Sequence, residues 1–220
     1  QKGEYPAPYK IVVIGDVHGD KKAFIHCLVK NKLVDKQLNW VGGKANVVQM
    51  GDVLDRQPRT TDENNDEDSE FKILNIIHKL QIQSFQSGGA YHCILGNHEL
   101  MNVMGVMDYA SPMGIHHFGG AKNRINAFKP GSNISCYLGT FWNPVIKIGN
   151  YIFAHGGVSK ETSNYNIKDI NLLMRTYLNG KKNLIHSNHF KKLFLNDNSL
   201  LWYRKYSARN KYNKQEIQDL

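Results

Sequence analysis

The sequence predicts an α/β fold in which parallel strands alternate with helices. Short aliphatic and β-branched runs at 10–14, 47–48 and 91–95 are typical of buried strands, and glycine and polar side chains follow each run. Stretches with the apolar spacing of a helix lie between them, at 21–33 and 71–86. Strand, helix and parallel strand in this order require a right-handed crossover, and ligands bind beyond the carboxyl ends of the strands in such sheets.

Composition and charge exclude several classes of protein. Of the 220 residues, 41% are hydrophobic and 21% are charged, which suits one globular core with room for a small appendage. No stretch approaches the roughly 20 apolar residues of a membrane span, and residues 1–9 lack the pattern of a signal peptide. The net charge of +9 is diffuse, which indicates a solvated basic face. Neither a membrane nor a nucleic acid is therefore expected as a partner.

The three cysteines, Cys27, Cys93 and Cys136, lack the paired spacing of a metal site. Cys27 and Cys93 lie in apolar segments, so buried thiols in a reducing compartment are expected. A cytoplasmic location follows from this interpretation.

The first strand is followed by the segment Gly-Asp-Val-His-Gly-Asp at 15–20. This segment puts Asp16 and His18 just beyond the carboxyl end of the strand, where side chains can reach a ligand. Asp20 is available as the N-cap of the helix predicted over 21–33. By itself the segment is weak evidence of a site, because Gly-Asp after a strand is common.

The second strand is followed by Met-Gly-Asp-Val-Leu-Asp-Arg at 50–56. Two carboxylates and a guanidinium, those of Asp52, Asp55 and Arg56, lie within five residues at its end. The next segment, 57–70, is acidic and contains asparagine, so a surface insert is predicted there.

The third strand leads into Asn97, His98 and Glu99. The methionine-rich segment 99–107 is predicted to pack in the core. The segment 109–131 is rich in glycine and proline and is predicted to be a loop.

In the second half of the chain, Gly149-Asn150 is a two-residue turn signal between the apolar runs 143–148 and 151–154. It predicts a β-hairpin that begins a separate sheet, with His155 at its exit. Further helices are predicted over 167–178 and 190–195.

Together the four loops supply carboxylates, an amide and imidazoles. This mixture suits borderline divalent ions such as Mn, Fe, Zn or Ni better than Ca. Asp52 is the natural bridging carboxylate of a two-metal site, in which ions about 3.5–4 Å apart clamp both oxygens of a displacement. Asp16 and His18 would complete one metal site, and Asn97 and His155 would serve the other. Phosphorus is the natural target, because metals and arginines neutralise the charge on its oxygens.

The four motifs in chain order are Gly-Asp-Val-His-Gly at 15–19, Gly-Asp-Val-Leu-Asp-Arg at 51–56, Gly-Asn-His-Glu at 96–99 and His-Gly-Gly at 155–157. They resemble the signatures of the phosphoprotein-phosphatase-type metallophosphoesterases. Within that group the chain looks most like the Shewanella-like phosphatases, because of the segments at 99–102, 127–131 and 201–204. The resemblance covers nearly the whole chain. It implies a calcineurin-like metallophosphoesterase β-sandwich flanked by helices, formed as a single domain over 1–220.

The resemblance also implies a role for each site residue. The implied metal ligands are Asp16, His18, Asp52, Asn97 and His155. His98 would protonate the leaving oxygen, with Asp55 paired to it. The implied phosphate-binding residues are Arg56, Asn97 and Arg204. The implied function is that of a metal-dependent phosphoprotein phosphatase, which hydrolyses phosphomonoesters with water activated by two transition-metal ions, Mn, Fe or Zn. Its partner would be a phosphorylated protein.

Two other functions stay open at this point. Related enzymes cleave dinucleoside polyphosphates with the same loops. A catalytically inactive module could instead hold a phosphorylated partner. The presence of His98, Asp55 and Arg56 argues against that inactive module, because decayed sites usually lose such groups first.

The chain departs from the family pattern in two places. Gln57 stands where the family usually has glycine, which affects the entry to the acidic insert. The family also has another histidine ligand, in a Gly-His motif downstream of Trp-Tyr-Arg at 202–204, and no such motif occurs before Leu220. We expect the sequence to stop short of the C-terminal strands, because a sheet without them would leave an open edge.

Overall fold

The computed structural model describes residues 3–57 and 68–206. It has the predicted α/β architecture, with two sheets that pack face to face and helices around them. The strands in this part of the chain are β1 Glu4–Tyr5, β2 Ile11–Ile14, β3 Asn46–Gln49, β4 Ala90–Ile94, β5 Trp142–Asn143, β6 Val145–Ile148 and β7 Tyr151–Ala154.

The first sheet is four-stranded and parallel, in the order β2-β3-β4-β5. Strand β3 is buried along its whole length, because it has a neighbour on each side and a layer over each face. Its register aligns Gln49 with Ile14 of β2 and with Cys93 of β4. The three loops that carry the predicted site residues therefore leave the same edge of the sheet, as the sequence predicts.

The second sheet is three-stranded, in the order β1-β6-β7. Strands β6 and β7 form the predicted hairpin, and β1 pairs with β6 in parallel. Val48 and Ile94 of the first sheet pack against Ile146 and Ile148 of the second. This contact forms the predicted β-sandwich. Within the described ranges, β7 pairs with β6 alone, so its outer edge is open.

The α-helices of the described residues are α1 Lys21–Lys30, α2 Glu70–Gln86, α3 Asn97–Met104, α4 Pro112–His116, α5 Ala121–Phe128, α6 Asn133–Phe141, α7 Ile167–Leu178 and α8 Asn188–Phe194. A 3₁₀ helix spans Lys182–His186. Helices α1, α2, α7 and α8 match the predicted helices to within three residues at each end. Asp20 caps α1 as predicted, because its Oδ1 accepts from the N–H of Ala23 at 2.9 Å.

The prediction of a loop over 109–131 is wrong, because this segment contains α4 and α5. The side chain of Ser111 caps α4 by accepting from the N–H of Gly114 at 3.0 Å, and Pro112 occupies the first helical position. Helix α5 buries Arg124 and Phe128 completely. These tertiary contacts stabilise the helix. The glycine-rich sequence on either side of it gave no indication of them.

Other sequence predictions have mixed outcomes. The cysteines are free thiols, with Cys93 buried and both Cys27 and Cys136 half-buried. No helix in the described ranges is both long enough and apolar enough to cross a membrane. Most of the predicted acidic insert, residues 58–67, lies outside the described residues. Its last member, Glu70, is buried at the start of α2.

Candidate active site

Backbone hydrogen bonds join the loops after β2, β3 and β4. The N–H groups of Val17 and His18 both donate to the carbonyl of Asp52, at 3.0 and 2.9 Å. From the opposite side, the N–H of His98 donates to the Asp52 carboxylate at 3.1 Å. The Asp52 loop therefore lies between the other two and fixes their spacing.

Three site residues that are not glycine adopt left-handed backbone conformations. The φ angle is 44° at His18, 51° at Asp52 and 68° at Asp55. Such a conformation is unfavourable by roughly 1–2 kcal/mol per residue, so the surrounding hydrogen bonds must hold it. Gly51 has a φ of 91°, and a Cβ there would lie 2.6 Å from the backbone nitrogen of Gly96. The close approach of these two loops therefore requires glycine at position 51.

The imidazoles of His18 and His155 are oriented by backbone carbonyls. The Nδ1 of His18 lies 2.9 Å from the carbonyl oxygen of Leu54, and the Nδ1 of His155 lies 2.8 Å from that of Met50. This leaves each Nε2 facing the Asp52 carboxylate, at 3.8 Å from His18 and 3.3 Å from His155. A ring held through one nitrogen, with the other directed at shared donors, is the usual arrangement of a metal-binding histidine.

Asp16 and His155 are 139 positions apart in the chain and meet at this site. The Oδ1 of Asp16 lies 4.0 Å from the Nδ1 of His155, and its Oδ2 lies 3.9 Å from the Nε2 of His18. The Asp16 side chain is 52% exposed, whereas that of Asp52 is 5% exposed. The site therefore opens to solvent on the Asp16 side.

The acidic and imidazole donors form two groups that share Asp52. One group is His18, Asp52 and His98, and the other is Asp16, Asp52 and His155; within each, the ligand atoms lie within 4.8 Å of one another. This composition of carboxylates and imidazoles fits a borderline divalent ion at each group. Membership of Asp52 in both groups is what a bridging carboxylate requires. In this grouping Asp16 lies with His155, whereas the sequence analysis assigned Asp16 and His18 to the same metal. Which ligands bind which ion stays a prediction.

The Asp52 and His155 side chains stabilise each other's charged form. Burial alone would raise the pKa of Asp52, but the hydrogen bond from His155 and the charges of His155 and His98 outweigh it and lower that pKa. Burial likewise lowers the pKa of His155, and the hydrogen bond and charge of Asp52 reverse the effect and raise it. The site therefore already favours the anionic carboxylate that a cation needs.

His98 forms a dyad with Asp55. Its Nδ1 lies 2.9 Å from the Oδ2 of Asp55, and both side chains are buried. Its Nε2 lies 3.9 Å from the Oδ2 of Asp52, so this edge of the ring faces the predicted bridging ligand. The ring of Tyr109 packs edge-on against it, with centroids 5.1 Å apart. The predicted general acid thus lies beside the ligand cluster and is held by the predicted carboxylate.

The two predicted phosphate-binding arginines border the site from different elements. Arg204 follows the segment 201–203, which packs directly against Gly156, and its Nη2 donates to the Oδ1 of Asn97 at 3.4 Å. Arg56 forms an ion pair with Asp20 at 3.5 Å and donates to the carbonyl of His18 at 3.4 Å. Both arginines are therefore within reach of the cluster, and phosphate binding by them stays a prediction.

Glu99 was quoted in a motif but received no role from the sequence. It is fully buried, and each of its carboxylate oxygens accepts two backbone hydrogen bonds. The Oε2 accepts from Asp52 and Gly96, both at 2.9 Å, and the Oε1 accepts from Val53 at 2.8 Å and Leu54 at 3.2 Å. Burial, together with the charge of Asp52, raises the pKa of Glu99. This carboxylate joins the β3 loop to the β4 loop.

A second buried cluster, not predicted from the sequence, lies behind the His98–Asp55 dyad. It comprises Glu70, Asn102 and Arg124, contributed by α2, α3 and α5. Asn102 is four residues after His98 on the same helix, so its side chain lies on the same face, a signal that could have been used. Glu70 and Arg124 had no local signal, because their partners are distant in the chain.

A family model described as calcineurin-like phosphoesterase matches residues 9–217 of this chain. Two curated relatives are Shewanella-like protein phosphatases. Protein 2 of Arabidopsis thaliana is 27% identical over 92% of this chain, and protein 1 of Plasmodium berghei (strain Anka) is 31% identical over 94% of it. A solved structure of a cold-active protein tyrosine phosphatase superimposes with a TM-score of 0.80, at 26% identity over 99% of the chain.

This chain spans only part of the length of each of these proteins. It covers 59% of the Arabidopsis protein, 55% of the Plasmodium protein and 62% of the solved structure. The comparisons therefore support the predicted family and fold. The activity and substrates of the longer proteins are not transferred to this chain by similarity alone.

Proposed function

This chain belongs to the calcineurin-like phosphoesterase family, and from that membership and the site geometry we propose that it is a metal-dependent phosphoprotein phosphatase. Its substrates would be phosphomonoesters on protein side chains. The curated relatives that are named protein phosphatases support this choice of substrate class.

The observation that carries the proposal is the position of Asp52. Its carboxylate belongs to both donor groups, and its backbone is bonded to the loops on either side. A carboxylate shared in this way suits a two-metal site, and members of the family use a dinuclear divalent metal centre. The dyad of His98 and Asp55 adjoins the same carboxylate.

Each side chain at the site can be given a task in hydrolysis. The residues that would hold the ions are Asp16, His18, Asp52 and His155 of the two donor groups, together with Asn97, which the family motif implies as a ligand. His98 belongs to the first donor group, but its pairing with Asp55 suits it to proton transfer instead. Bound ions would supply Lewis acidity toward the phosphoryl oxygens and the attacking water. Arg56 and Arg204 would bind phosphoryl oxygens as charged hydrogen-bond donors. His98 would donate a proton from Nε2 to the leaving oxygen, and Asp55, on Nδ1, would orient the ring and stabilise its charged form.

The finer parts of this proposal concern the metal, the partner and the location. Imidazole and carboxylate donors favour Mn, Fe or Zn. The partner would be a phosphorylated protein, and a cytoplasmic location follows from the free thiols.

The test is a metal analysis combined with a substrate comparison. The purified protein would be loaded with Mn²⁺, and its turnover of a phosphoserine peptide, a phosphotyrosine peptide and diadenosine tetraphosphate would be measured together. We expect turnover of at least one phosphopeptide, lost on chelation and restored by Mn²⁺. Preferential cleavage of diadenosine tetraphosphate would indicate the dinucleoside polyphosphate hydrolase instead. Metal and phosphopeptide binding without turnover of any of the three would indicate an inactive binding module.

A further inference from the structure

Arg124 is a fully buried cation that lies one side chain away from the proposed general acid. Its exposed fraction is 0%, and its guanidinium carbon lies 5.6 Å from the ring centroid of Phe118 and 5.3 Å from that of Phe128. An arginine is rarely buried so deeply unless its charge is paired and its donors are satisfied. The hydrogen-bond partners of the Arg124 guanidinium therefore indicate its role.

All three guanidinium nitrogens donate hydrogen bonds within the cluster. The Nε donates to the Oδ1 of Asn102 at 2.9 Å. The Nη1 donates to the Oε2 of Glu70 at 2.7 Å and to the carbonyl of Gly114 at 2.8 Å. The Nη2 donates to the Oδ1 of Asp55 at 3.3 Å. The guanidinium of Arg124 thus contacts residues from four separate segments of the chain.

These contacts fix the Asp55 carboxylate from both sides. The Nδ2 of Asn102 lies 2.9 Å from each Asp55 oxygen, and the Oε1 of Glu70 accepts from the N–H of Asp55 at 2.7 Å. Arg124 orients Asn102 and Glu70 as well as Asp55 itself. Arg124 donates to the Oδ1 of Asp55 and Asn102 donates to both oxygens, and in this orientation the carboxylate presents Oδ2 to the Nδ1 of His98 at 2.9 Å.

We propose that Arg124 is a positioning residue for His98, acting through Asn102 and Asp55. Its fork of donors holds the Asp55 carboxylate at the angle that keeps the Nε2 of His98 directed toward the leaving oxygen. A lysine cannot replace it, because a single ammonium nitrogen has three donors from one point, whereas the guanidinium contacts four acceptors from three nitrogens. This inference rests on the proposed phosphatase function.

The alternative is that Arg124 only neutralises Glu70 and Asp55 and stabilises the fold. The two roles differ in how a substitution depends on the leaving group. Loss of proton delivery harms a substrate with a basic leaving group and largely spares one whose leaving group departs unprotonated. A loss of fold stability harms both substrates equally. Phenyl phosphate and p-nitrophenyl phosphate form a matched pair of this kind, independent of peptide sequence.

The experiment measures turnover of both substrates by wild type, Arg124→Lys, His98→Ala and the double variant, with metal content determined for each preparation. We expect Arg124→Lys to lower turnover of phenyl phosphate by about 10–100-fold. This is smaller than the full contribution of general acid catalysis, about 10²–10⁴-fold, because His98 is still present. The loss of this variant on p-nitrophenyl phosphate should be less than about 3-fold. In the His98→Ala background, adding Arg124→Lys should not change the ratio of the two turnover numbers. Equal losses on both substrates by a folded, metal-loaded Arg124→Lys would overturn the proposal.

The matched control is Arg175→Lys. Arg175 is half-buried on α7 and its Nε also donates to a backbone carbonyl, that of Gly139 at 2.9 Å. It lies outside the cluster, so the substitution should leave the substrate ratio at the wild-type value. If Arg124→Lys fails to fold, Asn102→Ala is used, because it removes the indirect link from Arg124 to Asp55 through Asn102 and keeps the direct contact and the charged partners. An equal loss on both substrates by Asn102→Ala would also overturn the proposal, whereas no turnover of either by wild type would refute the proposed function itself.

Discussion

Glu99 offers the sharpest test of how the active-site loops are held together. Its two carboxylate oxygens accept four backbone hydrogen bonds, two on each oxygen, from Asp52, Val53, Leu54 and Gly96. The substitution Glu99→Gln keeps the shape of the side chain but replaces one oxygen with an amide donor. Two backbone N–H groups then lose their acceptor in a buried site and face another donor.

The expected loss of stability follows from the number of N–H groups that lose their acceptor. A buried donor left without an acceptor costs about 1–3 kcal/mol, so two of them should lower the free energy of unfolding by about 2–6 kcal/mol. This is a large share of the 5–15 kcal/mol that typically stabilises a domain. The β3 and β4 loops should also separate slightly, because Glu99 joins Asp52 to Gly96. We therefore expect weaker metal binding in the same variant.

Urea denaturation of the metal-free protein measures the effect without a contribution from bound ions. The control is Glu161→Gln, which makes the same chemical change at an exposed carboxylate that accepts from the Nδ2 of Asn198 at 2.8 Å. That variant should stay within about 0.5 kcal/mol of wild type. A loss of less than about 1 kcal/mol in Glu99→Gln would refute the argument that this carboxylate joins the two loops.

Three further predictions concern the metal ligands, the proton donor and a buried histidine. Asp52→Asn should abolish activity and weaken both metals together in a calorimetric titration; one ion bound with unchanged affinity would show that Asp52 is not the bridge. His98→Ala should retain metal and lose roughly 10²–10⁴-fold in turnover of a phosphopeptide, with a smaller loss on p-nitrophenyl phosphate, and equal losses would exclude the acid role. Burial lowers the pKa of His92 to about 4, so the unfolded chain takes up the proton first as the pH falls. The contribution of His92 to stability should therefore be constant above about pH 6.5 and fall by up to about 3 kcal/mol between pH 6.5 and 4. His92→Phe should remove that part of the pH dependence in urea titrations, and an unchanged pH profile would contradict the assignment.

Local sequence patterns were sufficient to predict the central strands, the β6–β7 hairpin and several of the helices. The apolar runs that became β2, β3 and β4 are short and end at glycine or polar residues, and the apolar spacing of α1, α2 and α7 is visible without any partner. The turn at Gly149-Asn150 indicated the hairpin because two-residue loops have strong residue preferences. These features depend on neighbouring residues, so the sequence alone determines them.

The positions of the candidate ligands could also be predicted, for a topological reason. Parallel strands in one sheet end at the same edge, so Asp16, Asp52 and Asn97 had to lie close together once the strands were assigned. The motifs at these positions, with His155 after the hairpin, carried the resemblance to the family. Their distances and the orientation of each ring came from the structure.

Only the tertiary structure decided which buried groups support the site. Glu70 ends the segment predicted to be an acidic surface insert, yet it is buried and hydrogen-bonded to Asp55 and Arg124. Arg124 lay in a segment predicted as a loop, and its partners are 10 to 69 positions away in the chain. A buried ion pair depends on how α2, α3 and α5 pack against one another. No pattern of neighbouring residues records that packing, because the charge of Arg124 is tolerated only where distant acceptors converge on it.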